Sequence, residues 1–182
     1  MVGQPKIAPA PAGYTKRQIA LHWIVFVLVA FQFAIGNQMA HLFRAAHGGS
    51  PTHASAIWAP VHIVVGDLIL IAMLARLVLR RRDGVPAPPK QHPALEQLAS
   101  AVHAGLYVDL IGAPIVGAIA YFWLPAFAGL HHLMTRQILI ALFGLHLVGA
   151  LWHRLIVRDG VMTRIVRPRV SAVGGRRAGG DP

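Results

Sequence analysis

The chain has 182 residues, 55% of them hydrophobic and only 13% charged, with a formal charge of +11, eleven His and no Cys. An ordinary soluble domain carries about a quarter charged residues, so this composition excludes one. The missing Cys excludes disulfides, thiolate metal sites and thioether-linked prosthetic groups.

Residues 1–16 are rich in Pro and Ala and are expected to be disordered, with no core to join. Residues 18–38 (QIALHWIVFVLVAFQFAIGNQ) form the first run long enough to cross a bilayer core, which takes about 20 mostly apolar residues as a helix. The run is too long for a signal peptide and ends in no small-residue cleavage site. Residues 40–56, with Gly48, Gly49 and Pro51, read as a loop. The second span covers 57–79, followed by a stiff basic connector over 80–93 that holds Arg81, Arg82 and the PAPPK run. The third span covers 98–124, a tight turn 125–131, and the fourth span 132–157. Residues 160–182 form a basic, Gly-rich tail. The expected fold is all-α: an integral membrane four-helix bundle over residues 17–159, with no internal repeat and no soluble domain.

Lys and Arg set the orientation. Three (Lys6, Lys16, Arg17) precede span 1, five lie at or between the ends of spans 2 and 3, and seven close span 4 and the tail. Only Arg44 and Arg136 fall on the other side. Both termini are therefore expected in the cytoplasm. The positive charge reads as topology and contact with the lipid bilayer, and no nucleic-acid partner is expected.

Polar side chains inside a bilayer are costly, so the intramembrane imidazoles call for a function. They are His22 (span 1), His62 (span 2), His103 (span 3) and His132, His146 and His153 (span 4). With the spans alternating in direction, His22 matches His146 in depth, and His62 matches His132. His132 and His146 are 14 residues apart, four α-helical turns less about 40°, and are separated by roughly 21 Å along the axis. One imidazole per leaflet on one stripe suits two planar cofactors stacked along a bundle. A b-type haem takes two axial His from facing helices, which leaves no open iron position and favours electron transfer. Gly66 and Gly149 share faces with His62 and His146 and could admit a porphyrin, although small residues also serve ordinary helix packing. Arg76 and Arg80 could pair with haem propionates or snorkel to the headgroups. Zinc would need its His ligands in one tetrahedral shell, and the span 4 pair is too far apart for that. His41, His47 and His53 read as solvated loop residues.

The motifs QIALHW (18–23), VHIVVG (61–66), ARLVLR (75–80), HAGLYVDLIGAPIVG (103–117), FGLH (143–146) and LWH (151–153) together resemble the bacterial cytochrome b561 family of four-helix di-haem membrane proteins. The resemblance covers about residues 14–169. It implies two noncovalent b haems with bis-His iron: His22 and His146 for the inner one, His62 and His132 for the outer one. His131 becomes the outer ligand if the helix register differs. It also implies electron exchange with membrane quinone, ubiquinone being one candidate, with His153 as a residue for quinone contact or proton exchange. One branch of the family oxidises superoxide and reduces ubiquinone. Here the loop between spans 3 and 4 is shorter and that between spans 1 and 2 longer than in that branch. Asp67 and Asp109 also stand inside spans 2 and 3, as proton relays or as partners of a ligating imidazole. Two alternatives remain open. One is a cytochrome b subunit of a larger dehydrogenase or hydrogenase, docking a redox protein partner. The other is a colourless His-lined permease.

Overall fold

The computed structural model describes residues 11–45 and 53–169. Its elements are α1 (Lys16–Ala45), α2 (His53–Asp83), α3 (Pro93–Phe122), a fourth span α4 (Pro125–Val157) and a short α5 (Val161–Arg164). Four helices are long and apolar enough to cross a membrane, and no strand occurs among the described residues.

Local chemistry explains where these helices begin. Thr15 and Gln18 form a reciprocal capping box: Thr15 Oγ1 accepts from the Gln18 amide at 3.2 Å, and Gln18 Oε1 accepts from the Thr15 amide at 2.9 Å. Gln18 Nε2 then donates to Gly84 O at 2.9 Å, which ties the start of α1 to the end of α2. Gly84 has φ +69°, the left-handed conformation that lets the chain leave α2. His92 caps α3 by accepting from the Ala94 amide at 3.3 Å, with Pro93 in the first turn.

The connections differ from the sequence expectation. Residues 40–45 and 53–56 extend α1 and α2, so His41 and His53 are helical; His47, Gly48, Gly49 and Pro51 lie outside the described residues. So do residues 1–10 and 170–182, which include Lys6, Arg176 and Arg177. The expected tight turn over 125–131 is instead the start of α4. Pro125 opens a 3₁₀ turn (Pro125–Phe127) that runs into an α segment (Ala128–Leu133), because proline's fixed φ suits a first helical turn. The span continues as a π turn (Met134–Ile138), an α segment (Leu139–Trp152) and a second π turn (His153–Val157).

Each helix packs against the next in sequence, and the pairs run antiparallel: Gln18 meets the end of α2, while Gln32 meets His62 near its start. Val25, Val65, Ile69, Ala72 and Met73 form a buried cluster, with Tyr107, Leu110 and Ile111 of α3 against it. α1 meets α4 through rings, Phe26 stacking on Phe143 at 6.3 Å. The outward faces are apolar: Val27, Val64, Val108 and Val148 are all exposed. At about 25 cal/mol per Å² such a surface would be costly in water and costs nothing against lipid tails. The Arg169 amide donates to Tyr14 O at 2.9 Å, so both ends of the described chain meet at one end of the bundle. That end, called basic below, also carries Lys16, Arg17, Arg80–Arg82 and Arg154.

Candidate functional site: two histidine pairs

At the basic end His22 of α1 faces His146 of α4, with ring centroids 6.3 Å apart and planes tilted by 53°. Arg76 turns inward here. Its Nη1 donates to Gln18 O at 3.3 Å. Arg80, one turn further along α2, is exposed, so the two arginines that sequence spacing grouped together are separated by depth. His103 of α3 touches His146 edge-on at 5.1 Å, a contact sequence depth-matching missed. Its Nδ1 donates to Ala99 O at 2.7 Å, one turn back on its own helix.

At the other end His62 of α2 faces His131, with ring centroids 6.2 Å apart and planes nearly perpendicular. The expected neighbour, His132, is exposed and only borders the cavity there. The reason is the π turn immediately downstream. A π turn takes one residue more than an α turn, so the position that shares a face with His146 moves back by one. An uninterrupted α-helix would have favoured the 14-residue spacing; the inserted residue favours 15. His131 Nδ1 donates to Ala113 O at 2.9 Å, which fixes the ring and leaves Nε2 as its free electron-pair donor.

The His62–His131 pair borders a cavity of about 540 Å³ between the four spans. Gln32 and Asp67 also line it, as does Arg136, which donates to Asn37 Oδ1. Gln32 Nε2 donates to His62 O at 2.8 Å and lies 3.5 Å from where a Cβ on Gly66 would stand. Gln32 Oε1 and His62 Nδ1 are buried without a hydrogen-bond partner among the described residues. Asp109 is 2% exposed, and neither of its carboxyl oxygens has a partner there.

Gly117 has a specific steric duty. A Cβ at this position would stand 2.9 Å from His131 Cε1 and Nδ1, closer than packed atoms tolerate. Gly117→Ala is expected to push the ring off Ala113 O and to destabilise the bundle by about 1–3 kcal/mol. Gly144→Ala is the control, because its Cβ meets nothing within 4 Å. Thermal unfolding in detergent should show a lower Tm for the first and no loss for the second. Equal Tm values would refute the packing argument.

The centroid separation in both pairs matches that of two imidazoles sharing one iron. Ring nitrogens about 2 Å from a shared metal put the ring centroids roughly 6 Å apart. At the His62–His131 pair, His131 keeps Nε2 for a metal, His62 Nδ1 has no partner among the described residues, and a cavity lies beside both rings. Among the described residues no three His, Asp or Glu converge as a structural zinc site would need.

His153 lies two turns beyond His146, at the basic end. Its Nδ1 donates to Asp159 Oδ2 at 2.6 Å, and Asp159 Oδ1 accepts from the Val161 amide at 3.1 Å. Partial burial alone would raise the Asp159 carboxyl; the Val161 amide and the His153 ring outweigh it and hold the carboxyl below the usual range. The chain after α4 crosses this end. Trp23 Nε1 donates to Ile165 O at 3.2 Å, and Arg164 Nη1 to Ala87 O at 2.8 Å.

The chain is similar to known proteins over most of its length. The family model described as prokaryotic cytochrome b561 matches residues 13–168. A cytochrome b562 of Cereibacter sphaeroides is 29% identical over 86% of this chain and 97% of its own length. A probable superoxide oxidase, CybB, of Yersinia pestis is 25% identical over 84% and 95%, and cytochrome b561 homolog 1 of Escherichia coli K12 is 26% identical over 86% and 98%. No solved structure matches the chain. Four apolar spans, paired intramembrane imidazoles and the family match converge: the chain belongs to the prokaryotic cytochrome b561 family, whose members are multi-pass membrane electron-transfer proteins that bind b-type haem.

Proposed function

We propose that the chain holds two b haems, one near each end of the bundle. Through them it would carry electrons across the bacterial inner membrane, between quinone at the basic end and a donor or acceptor at the other. The observation that carries this reading is the pair of His–His separations, 6.3 and 6.2 Å, both involving α4. His22 and His146 ligate the haem at the basic end. His62 and His131 ligate the other, His131 being preferred to His132 because its ring faces His62 and its Nδ1 is tied to Ala113 O. Bis-His haem supplies one-electron transfer with no open position for a substrate. Arg76 would pair with a propionate of the haem at the basic end, and Arg80 would snorkel to the headgroups.

The excess of Lys and Arg supports a cytoplasmic position for the basic end. Quinone fits that end because its reduction consumes protons, and His153 stands there as the exchanging group. At the other end superoxide is one candidate donor. Its support is the resemblance to a probable superoxide oxidase, together with Arg136 at the cavity, a cation that would attract an anion.

The test uses the haem-loaded protein in sealed vesicles. Decylubiquinol is supplied in the membrane, and ferricyanide, which does not cross it, is present only at the less basic end. We expect protein-dependent reduction of ferricyanide. Haem that quinol leaves oxidised, or ferricyanide that stays oxidised while the haem is reduced, would contradict the proposed path.

A further inference from the structure

The turn after α4 is built to bring one carboxylate back onto His153. α4 ends in a π turn that starts at His153 and closes where the Arg158 amide donates to His153 O at 2.7 Å. Arg158 then takes φ +56° and Gly160 φ +74°, so two left-handed residues flank Asp159. For Arg158 that conformation is strained, and such strain persists only where the surroundings enforce it. The result is a chain reversal that grips residue 153 twice, at its carbonyl and at its ring. π turns and strained backbone are both frequent at functional sites. The two side chains keep 14% and 21% of their accessibility, while Asp159 as a residue is exposed.

We propose that Asp159 is the positioning residue of a proton-exchanging His153–Asp159 pair that serves quinone chemistry at the basic end. The inference rests on the quinone reading above and adds to it the group that makes His153 competent. Accepting from Nδ1–H fixes the tautomer in which Nε2 carries the lone pair. When quinol is oxidised, two electrons leave singly through the bundle and two hydroxyl protons must leave as well. Each O–H bond that breaks at His153 is replaced by an Nε2–H bond. Asp159 stays ionised and offsets the positive charge on the ring, which then passes the proton to water at the basic end. Quinone reduction runs the same steps backwards. Asp159 Oδ1 meanwhile holds the Val161 amide, so the carboxylate cannot swing away from the ring.

Asp159→Asn is the informative variant, because Asn keeps an oxygen for the Val161 amide and tolerates this turn. The haem-loaded full chain is assayed with decylubiquinol, following haem reduction. We expect Asp159→Asn to lower kcat roughly 10- to 100-fold with KM nearly unchanged, and His153→Gln to lower it at least as far. The double variant should be no slower than the slower single one, as residues acting as a unit are not additive. Haem content and spectrum should match the unmodified protein, and Asp159→Glu should recover part of the rate. In ¹⁵N-histidine spectra the His153 signal, assigned by its loss in His153→Gln, should report Nδ1 protonation and should lose that preference in Asp159→Asn. An unchanged kcat in Asp159→Asn beside a slow His153→Gln would overturn the role of Asp159 and leave the quinone reading standing. A normal rate in His153→Gln would overturn both. Haem loss in Asp159→Asn that Asp159→Glu fails to repair would make Asp159 a structural residue and end the proposal.

Discussion

A His131→Leu variant is expected to bind one haem per chain instead of two, whereas His132→Leu keeps both. The two residues are neighbours in sequence and similar in local composition, so only geometry separates them. The His131 ring stands 6.2 Å from that of His62, and its Nδ1 is bonded to Ala113 O. His132 is exposed at the border of the same cavity. Leucine is close to histidine in volume, so the substitution removes the ligating nitrogen with little change in packing. The remaining haem should retain its low-spin spectrum, because the His22–His146 pair is untouched. Haem content measured per chain reads the result directly. One haem in His132→Leu and two in His131→Leu would show that α4 adopts the uninterrupted α register after all.

The second large effect is at the basic end. His22→Leu and His146→Leu should each remove the haem there, leave the other in place, and abolish quinol-driven electron transfer. His103→Leu should keep both haems. His103 is also an imidazole in contact with His146, but a ring-centroid separation of 5.1 Å is too short for two trans ligands on one iron, and its Nδ1 is already bonded to Ala99 O. The loss from His22→Leu should exceed that from Arg76→Leu, because a guanidinium supplies charge and no iron bond. Redox titration distinguishes the variants: a single wave for the two ligand substitutions, two waves for His103→Leu. A single wave in His103→Leu would mean that His103, not His22, completes the inner site.

Much of the architecture was legible because it depends on composition over long windows. Twenty apolar residues have one stable state in lipid, a helix, and the lopsided distribution of Lys and Arg follows the same runs. Helix ends were less legible because single residues decide them. Pro125 reads as a turn residue in the sequence, yet it opens α4, and His131 is helical. The choice between His131 and His132 depends on one π turn, and no residue pattern in Met134–Ile138 announces it. The separation of Arg76 from Arg80 reflects depth, which periodicity does not encode. A Gln in an apolar span is a signal in itself, and Gln18 and Gln32 carry it. Both span the α1–α2 interface to backbone carbonyls. Asp159 was hidden for a different reason. It lies six residues from His153 in a polar segment, and only the two left-handed residues beside it bring the side chains together.

The central claim is that this bundle holds two irons, each between two imidazoles. Haem quantified per chain by pyridine haemochrome, with electron paramagnetic resonance of the oxidised protein, tests it most directly. The predicted result is two haems per chain, both low-spin, with one lost in His146→Leu and one in His131→Leu. A ratio of one or none in fully loaded protein, or a high-spin signal from an iron with an open position, would contradict it.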